Sequence, residues 1–380
     1  MSEALYRLLS MEGLGSRSLM GLLTGEDALP AEEVLALTDR ELKKYCVERL
    51  GESARALRAA HLITACRKNP AGDSLQRLQE KEISLVTWND KDYPERLRDI
   101  PDPPFALYYR GALPSDRRPS VAIVGSRMPS PYGRSEAVRF AKGLADMGFQ
   151  IISGMARGID GIAGMEAAMT GKNASFAVLG SGVDVCYPKE NRALYDRLIR
   201  EGGVLSEYIP GTQPKASLFP PRNRIISALS DALLVVEAKQ KSGTMITVDM
   251  SLEQGRDVFA VPGRNNDATS AGCNSLIAQG AQIAISPIQF LELYGSVRPK
   301  KKEEDTAGTQ EEMRLLADPL EDALYALLSS QEVTETEALR EEAQKRLHKE
   351  VGAGEMSAAL LSLQLKHLVK EEGVGYYRRE

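Results

Sequence analysis

The chain has 380 residues, and its 48 Lys and Arg against 53 Asp and Glu give a net charge of −5. At ~150 residues per domain, this length predicts two or three domains with enough chain to bury a core. No apolar run approaches the ~18–20 residues of a membrane span, and the N-terminus lacks the basic-then-apolar pattern of a signal peptide. We therefore expect a cytoplasmic protein without a membrane partner.

Cysteine and histidine usage excludes several kinds of site. The four cysteines occur singly, without the CxxC pairs of zinc sites or the spacing of a disulfide framework. None of the three histidines lies between residues 62 and 347. This absence excludes histidine general-base catalysis, Ser-His-Asp triads and histidine-ligated metals from the central part of the chain. We predict no catalytic residue, no metal site and no cofactor.

Residues 1–75 are predicted to form a helical domain, because apolar residues recur at helical spacing in segments 4–9, 31–37, 41–50 and 54–66. The run Gly13-Leu14-Gly15-Ser16 separates two of the helices. It is typical of a helix-hairpin-helix turn, whose backbone amides can meet a phosphate at a helix start. A tight turn inside a helical packing domain is the alternative, and we favour it from the sequence.

Residues 83–295 alternate short apolar runs, partly β-branched, with amphipathic segments. This alternation predicts an α/β domain with a Rossmann-like, doubly wound parallel sheet covered by helices on both faces. The predicted strands are 120–124, 149–152, 175–179, 232–236, 258–261 and 283–285. The predicted helices are 133–147, 159–169, 191–201, 224–229 and 246–254. Ligands of such sheets bind beyond the carboxyl ends of the strands, which is where the glycines lie here.

Beyond this core the chain changes character twice. Residues 296–312 are charged and poor in apolar side chains, which predicts a flexible linker. Residues 313–380 then show three helical patterns, over 320–328, 335–349 and 354–371, followed by a short hairpin. Three helices and a terminal hairpin predict a winged-helix domain.

Four loops that follow predicted strands combine glycine with hydroxyl side chains and, in two cases, an arginine. Glycine permits close approach, the amides at a helix start attract anions, and arginine can bind two phosphate oxygens at once. Their meeting at one edge of the sheet predicts a site for a phosphate-bearing ligand. The candidate residues are Gly125, Ser126, Arg127, Ser130, Gly154, Arg157, Gly158, Gly180, Ser181, Ser242, Gly243, Thr244 and Thr247.

Two common ligands of such loops are disfavoured. The P-loop pattern GxxxxGK[ST] is absent, which argues against ordinary nucleoside triphosphatase chemistry. The first turn reads Gly125-Ser126-Arg127 instead of GxGxxG, so Arg127 would crowd the pyrophosphate of a dinucleotide.

A proline-rich segment at 219–224 indicates a nucleic-acid ligand. Single-strand binders combine an aromatic face for a base with basic side chains for the backbone, and stacking contributes ~1–3 kcal/mol per base. Phe219 is such an aromatic, flanked by basic residues. The candidates in and before this segment are Lys215, Phe219, Arg222, Asn223 and Arg224.

The alternative for this segment is structural. Phe219 would then pack in the core, while Arg222 or Arg224 would pair with Glu207 or Glu237. We expect one of the two arginines to be structural. The regional charge favours the nucleic-acid interpretation, because residues 121–290 hold 17 Lys and Arg against 15 Asp and Glu. Residues 303–380 hold 9 against 18, so the acidic excess belongs to the C-terminal part of the chain.

Motifs in the same order over about residues 90–285 resemble the DNA-processing protein A (DprA/Smf) family. The N-terminal helical domain and the C-terminal domain are similar only in outline to the sterile-alpha-motif-like and winged-helix domains of longer members. The matching runs include Val121-Ala122-Ile123-Val124-Gly125-Ser126-Arg127, Ser153-Gly154-Met155-Ala156-Arg157-Gly158-Ile159-Asp160, Tyr187-Pro188, Phe219-Pro220-Pro221-Arg222-Asn223-Arg224 and Ser242-Gly243-Thr244-Met245-Ile246-Thr247.

The resemblance implies a non-enzymatic protein that binds single-stranded DNA, protects it, forms a homodimer through the core and loads the RecA recombinase during natural transformation and recombination. It also implies that Arg127 grips a phosphate and that Phe219 contacts a base. The family usually has a lysine three residues before the aromatic. Here that place is Ala216, and we expect the adjacent Lys215 to replace the lysine.

Two other functions remain open at this stage. The first is a nucleotide-processing enzyme of the phosphoribohydrolase kind, with Glu237 or Asp160 as acid or base. The segment around Glu237 lacks the Pro-Gly-Gly-x-Gly-Thr run of such enzymes. The second makes the winged helix the DNA reader, but its acidic charge favours a protein contact or a regulatory role.

Overall fold

The computed structural model describes residues 2–68, 75–297, 319–328, 333–347, 349, 351–365, 368–373 and 375–379. Its internal contacts divide the chain into two units, Met1–Pro299 and Lys300–Glu380. The boundary between them falls within the predicted linker 296–312, of which residues 298–312 lie outside the described residues. Across the part described, no helix is both long enough and apolar enough to cross a membrane.

The first unit begins with short helices that share one apolar cluster, which includes Leu8, Leu22, Leu42 and Ile63. Phe105, which precedes a strand of the sheet, is fully buried in the same cluster, so these helices pack directly on the core. The helices predicted within 31–66 are all present. The six helices described in this region are α1 (Glu3–Leu9), α2 (Ser16–Leu23), α3 (Ala31–Ala36), α4 (Asp39–Leu50), α5 (Ala54–Lys68) and α6 (Leu75–Glu80).

The core of the first unit is a nine-stranded mixed sheet, in the order β1-β2-β6-β5-β4-β3-β7-β8-β9. Its seven strands from β6 to β9 are parallel, which confirms the Rossmann-like fold class. The strands are β1 (Ser84–Thr87), β2 (Ala106–Gly111), β3 (Ser120–Val124), β4 (Gln150–Ser153), β5 (Ser175–Val178), β6 (Gly203–Ser206), β7 (Ala232–Val235), β8 (Asp257–Ala260) and β9 (Gln282–Ile283).

One edge of the sheet carries antiparallel strands that the sequence analysis did not predict. Strand β2 runs antiparallel to both β1 and β6, so the parallel part carries a two-stranded antiparallel border. Strand β2 ends with Tyr109-Arg110-Gly111, and β1 is only four residues long. Neither has the continuous apolar run that marks a strand buried on both faces, which is why the sequence pattern missed them.

Helices cover both faces of the sheet, and the alternation of side chains along β3 shows how. Val121 and Ile123 face a cluster that contains Phe140, Phe149 and Phe290, whereas Ala122 and Val124 face the opposite cluster. The helices of this region are α7 (Pro131–Asp146), α8 (Ile159–Thr170), α9 (Arg192–Glu201), α10 (Phe219–Ala228), α11 (Gly243–Glu253), α12 (Ala271–Ala278) and α13 (Pro287–Val297).

Helix α10 begins five residues before the predicted start at 224. A 3-10 turn, Ala216–Leu218, leads directly into Phe219, and the two prolines that follow occupy the first turn. Proline is tolerated there because the first N–H groups of a helix have no intrahelical partner. The aromatic therefore stands at a helix start and not in a loop.

The second unit contains helices and a small sheet around an apolar cluster that includes Leu324, Leu339 and Leu363. The third predicted helix ends at Leu365 instead of 371, because Val369–Gly373 forms a strand. Identification of this unit as a winged helix stays a prediction. Its described elements are α14 (Pro319–Leu327), β10 (Thr334–Glu335), α15 (Thr336–Leu347), α16 (Ala353–Leu365), β11 (Val369–Gly373) and β12 (Tyr376–Arg379).

Candidate nucleic-acid interface

The predicted site lies at the carboxyl edge of the parallel sheet, where the chain changes direction. From β3 the chain adds β4, β5 and β6 on one side and then crosses over to place β7 on the other side. Such a switch point leaves a crevice beyond the two central strands. The turn Gly125-Ser126-Arg127 follows β3, and Glu237 follows β7, so these residues flank the crevice.

Glu237 closes the start of helix α7. Its side chain is 1% exposed, and its carboxylate accepts the backbone N–H of Ser130 at 3.0 Å and the Ser130 hydroxyl at 3.2 Å. The Ser130 Oγ in turn accepts the N–H of Gly133 at 3.1 Å. The positive end of the helix dipole is therefore met by a carboxylate of the protein itself.

A second carboxylate, that of Asp160, lies beneath the loop at the start of helix α8. Asp160 accepts the N–H of Gly154 at 3.1 Å and is only 7% exposed. Burial raises the pKa of this carboxyl, an effect that the facing Arg222 opposes. The prediction that the strand-end amides hold a phosphate therefore needs correction. The N–H groups of Gly154 and Ser130 bind these carboxylates, and that of Ser126 donates to the Glu237 carbonyl oxygen at 2.7 Å.

Arg222 lies inside the protein and not at its surface. It is 5% exposed and donates to the carbonyl oxygens of Gly154, at 2.9 Å, and of Val178. Its Nε donates to the side-chain oxygen of Asn223 at 3.1 Å. Desolvation lowers the pKa of Arg222 to about 10, although Asp160 opposes this shift. Arg222 thus ties together the ends of β4 and β5, and its N–H groups donate to acceptors within the protein.

Arg224 is also structural. It binds both carboxylate oxygens of Glu207, at 3.0 and 2.6 Å, and donates to the carbonyl oxygen of Asp102 at 2.8 Å. The side chains of Arg224 and Glu207 are 11% and 12% exposed. The sequence indicated that one arginine of this segment would be structural, with Glu207 as a possible partner. The structure places both Arg222 and Arg224 in such roles, which corrects their assignment as phosphate contacts.

With Arg222, Arg224 and the loop amides bonded within the protein, Phe219 is the centre of the predicted surface that is still exposed. The guanidinium carbon of Arg127 lies 5.8 Å from the Phe219 ring centroid, and the Tyr187 ring stacks on Phe219 at 5.7 Å with an interplanar angle of 29°. Beneath the ring, a Cβ on Gly180 would lie 2.6 Å from the Phe219 Cδ1 atom. Only glycine therefore allows the ring to rest on the end of β5. The three side chains form a partly open aromatic and cationic patch, hereafter the Phe219 patch.

Tyr187 belongs to the Phe219 patch, although it was not among the residues predicted from the sequence. It is 39% exposed. The signal was present, because Tyr187-Pro188 is one of the motifs that carry the family resemblance. Nothing in the spacing showed that residue 187 would meet residue 219, since the contact depends on the turn after β5.

Arg157 and Lys215 extend the positive charge around this patch. Both are exposed, and Arg157 donates to Glu190 at 2.7 Å in an ion pair whose partners are 57% and 60% exposed. Gly158 has φ +77°, and a Cβ there would lie 2.8 Å from the Arg127 carbonyl oxygen. Glycine at 158 therefore lets the Arg157 loop approach the Arg127 loop closely, and the N–H of Ile159 donates to the Ser126 carbonyl oxygen at 3.1 Å. The first three of the four predicted loops therefore converge on the Phe219 patch, and the fourth meets the first loop through Glu237.

Most of the remaining predicted residues are buried or hydrogen-bonded within the protein, so they are less available to a ligand. The Ser126 hydroxyl accepts the N–H of Met128 at 3.2 Å, and the buried Ser181 donates to the Val185 carbonyl oxygen at 3.2 Å. Beyond Glu237 the fourth loop packs towards α12, where the N–H of Gly272 donates to the Ala238 carbonyl oxygen at 2.8 Å. Gly125 and Thr244 are half-buried and Gly243 is exposed, whereas the Ser242 Oγ and Thr247 are buried.

The described residues bring no group of three or more His, Cys, Asp or Glu side chains together as metal ligands. The two buried carboxylates, Glu237 and Asp160, accept backbone N–H groups of the segments that lead into helices α7 and α8. The chemistry that the surface offers is stacking on Phe219 and Tyr187, together with charge from Arg127, Arg157 and Lys215.

Comparison with known proteins agrees with this architecture. Residues 84–295 match the family model of DNA recombination-mediator protein A. Protein Smf of Synechocystis is 35% identical over 335 residues, which cover 80% of this chain and 82% of that protein. The DNA processing protein DprA of Streptococcus pneumoniae is 45% identical over 197 residues, which cover 52% of this chain and 69% of that protein. The fold and motifs define a DprA-like α/β protein.

The chain belongs to the DNA recombination-mediator protein A family, which confirms the resemblance seen in its motifs. Two solved structures are similar. The X-ray structure of the S. pneumoniae protein has a TM-score of 0.63 at 33% identity, covering 77% of this chain and 98% of that one. DNA processing protein A from Helicobacter pylori, which binds single-stranded DNA, has a TM-score of 0.51 at 29% identity, covering 57% of this chain and 96% of that one.

Proposed function

We propose that this protein binds single-stranded DNA at the Phe219 patch, with a base stacked on Phe219 and phosphates held by Arg127, Arg157 and Lys215. The observation that carries the proposal is the placement of Arg127 and Tyr187 within 6 Å of the Phe219 ring centroid, at the carboxyl edge of the sheet. An aromatic platform beside exposed cations suits single strands of any sequence, because every base has a face that can stack. The relative from H. pylori, which binds single-stranded DNA, adds support.

The experiment is fluorescence anisotropy with labelled oligo-dT. Loss of one arginine–phosphate contact in Arg127→Ala is expected to weaken binding about tenfold and to lower the salt slope by about 0.7. Arg200→Ala is the matched control, because it removes the same charge from the exposed C-terminal end of α9, at the opposite edge of the sheet. Equal binding by Arg127→Ala and the wild type at low salt would overturn the assignment of this patch.

We further propose that the bound strand is passed to the RecA recombinase, so that the protein acts as a recombination mediator in natural transformation. Membership of the recombination-mediator family supports this role. The test is RecA filament assembly on oligo-dT covered by single-strand-binding protein, with and without this protein. We expect faster assembly with the wild type and no acceleration with Arg127→Ala. A wild type that binds DNA but leaves assembly unchanged would rule out the mediator role.

A homodimer through the core is the third part of the proposal. Three isoleucines at the β9 edge, Ile283, Ile285 and Ile288, are 40%, 55% and 61% exposed. Covering them with the same face of a second copy would remove this apolar surface from water. Sedimentation should show a dimer that Ile285→Glu converts to monomer. Leu361→Glu, at a residue 56% exposed in the second unit, should leave the dimer intact.

We assign no catalytic residue. Glu237 and Asp160, the acid and base of the alternative hydrolase hypothesis, are buried at helix starts, where they accept backbone N–H groups. Incubation with nucleoside monophosphates should release no free base. Release that depends on either carboxylate would replace the DNA-binding proposal with the enzymatic one.

A further inference from the structure

A groove of about 930 Å³ lies between the N-terminal helices and the sheet domain. One wall is the Gly13-Leu14-Gly15-Ser16 turn, and the other is the segment that leads to the Phe219 patch. Both walls belong to the first unit of the chain. Of the residues proposed to bind DNA at the Phe219 patch, Lys215 lines this groove, and the rest of the groove has no part in that proposal.

The first wall presents the N-terminus of α2 to the groove. The residue before the helix is Gly15, in extended conformation and exposed, and it makes no side-chain capping bond. A Cβ built on Gly15 meets no atom within 4 Å, so the space in front of the helix start is open. The first N–H groups of a helix have no partner within the helix, and they attract anions.

The opposite wall joins the groove to the Phe219 patch. Lys215 lines the groove, is exposed, and immediately precedes the 3-10 turn that ends at Leu218, next to Phe219. A strand that stacks a base on Phe219 and passes Lys215 therefore enters the groove. The continuity is covalent as well as spatial, because one short segment carries both residues.

The floor carries a polar group without a partner. Ala106 and Tyr108 line the groove from β2, while Leu107 between them packs in the core on the other face of the sheet. The Tyr108 side chain is 1% exposed, and its hydroxyl has no hydrogen-bond partner in the part of the chain that the structure describes. Buried polar groups in proteins are nearly always hydrogen-bonded. A ligand in the groove would supply what this hydroxyl lacks.

The charges around the groove are compatible with a phosphate. Of the lining carboxylates, Glu207 binds Arg224, and Asp102 binds Arg17 at 2.8 Å. Glu12 is exposed. The Arg17 side chain is 65% exposed, so its pairing with Asp102 costs little to exchange for a phosphate.

We propose that this groove binds the phosphate backbone of single-stranded DNA that continues from Phe219 past Lys215, with one phosphate at the start of α2. The inference rests on the proposed function of the Phe219 patch and extends it to the helical domain. It assigns the Gly-Leu-Gly turn a second role besides packing. Short strands occupy the Phe219 patch alone, and longer strands occupy both places.

The test compares oligo-dT of about 6 and about 20 nucleotides, lengths that bracket the site sizes of single-strand binders. The variant is Gly15→Asp, which places a carboxylate where the phosphate would bind. Aspartate is a better N-cap than glycine, so the helix is not weakened. We expect about tenfold weaker binding of the long strand, a salt slope lower by about 0.7, and unchanged binding of the short strand.

Two control variants separate charge from shape. Gly15→Asn competes for one of the same N–H groups but adds no charge, so it should weaken the long strand less than Gly15→Asp does. Gly171→Asp adds the same charge at the exposed C-terminal end of α8, where a Cβ meets no atom within 4 Å. It should bind both strands as the wild type does.

Failure of the groove assignment and failure of DNA binding at the Phe219 patch give different results. If Arg127→Ala weakens both strands while Gly15→Asp, folded by circular dichroism, binds the long strand like the wild type, the groove is not part of the path. If Gly15→Asp and Gly171→Asp weaken the long strand equally, the effect is one of net charge and the groove assignment is again wrong. If the wild type binds neither strand, the DNA-binding function itself fails.

Discussion

The carboxylate of Glu237 accepts the backbone N–H of Ser130 at 3.0 Å, so a side chain that follows strand β7 closes the helix that follows strand β3. In nucleotide-binding α/β proteins the start of the helix after the first strand is where a phosphate binds. Here the Glu237 carboxylate of the protein itself occupies that position. The neighbouring loop is filled in the same way, by Asp160. The DNA surface that we propose is therefore built from exposed side chains above the loops.

Gly133 is the residue that makes room for Glu237, because a Cβ there would lie 1.8 Å from the carboxylate Oε2 atom. Gly133→Ala should destabilise the fold by roughly 2 kcal/mol or more, although glycine to alanine in a helix normally stabilises by up to ~1 kcal/mol. Gly295→Ala, in helix α13 where a Cβ meets nothing within 4 Å, is the control and should be neutral or stabilising. Urea unfolding measures both. Equal stability of the two variants would mean that the carboxylate lies elsewhere.

Arg224 should contribute to folding and not to DNA affinity. Arg224→Ala leaves Glu207, whose side chain is 12% exposed, without its cation, and should cost roughly 3 kcal/mol of unfolding free energy. Arg192→Ala removes an exposed pair with Asp196 and should cost no more than ~1 kcal/mol. Salt titrations of DNA binding by folded Arg224→Ala should keep the wild-type slope. A lower slope would return Arg224 to the phosphate contacts.

Phe219 should act through its ring. Phe219→Leu keeps an apolar side chain over Gly180 but removes the stacking face, so affinity for oligo-dT should fall by ~1–3 kcal/mol. Phe219→Tyr keeps the face and should bind within about threefold of the wild type. Anisotropy titrations at one salt concentration measure both. Strong binding by the leucine variant would show that the ring serves only packing.

Tyr208 holds the turn that leads to Phe219, because its hydroxyl donates to the Leu218 carbonyl oxygen at 3.1 Å. Burial raises its pKa from 10.0 to about 12. A raised pKa means that the stability from this group is complete below pH 10 and is lost as the pH rises towards 12. Tyr208→Phe should therefore cost ~1 kcal/mol at pH 8 and flatten the loss of stability above pH 10. Unfolding free energies of the wild type and Tyr208→Phe between pH 8 and pH 12 test this prediction. The same dependence on pH in both proteins would refute it.

The sequence predicted six of the seven parallel strands, missing β6 (Gly203–Ser206), and it predicted the partners of charged side chains poorly. Strand β3 is found at 120–124 as predicted, because a short, fully buried apolar run has few alternatives. Arg127 and Arg224 look alike in the chain, but one is exposed and the other is bound to Glu207. That difference arises only when β6 and α10 come together.

Partners that lie far apart in the chain also explain why the sequence predicted a phosphate at the strand-end amides, where the structure has carboxylates. The glycine and hydroxyl pattern after β3 is typical of a phosphate loop. Ser130 and its acceptor, Glu237, lie 107 positions apart in the chain, and spacing alone cannot reveal that pairing. Gly133 was the available signal, because a glycine inside a first helical turn often marks a close approach from outside the helix.

The carboxylates at the two helix starts also affect how well free mononucleotides can compete with single-stranded DNA for this protein. A free mononucleotide gains most of its affinity from one enclosed phosphate-binding site. In this protein the carboxylates of Glu237 and Asp160 occupy the two positions where such a site would lie. The exposed surface offers several shallow contacts, each weak alone, which only a polymer can engage together. Free nucleotides, even at high concentration, are therefore expected to displace a bound strand only weakly.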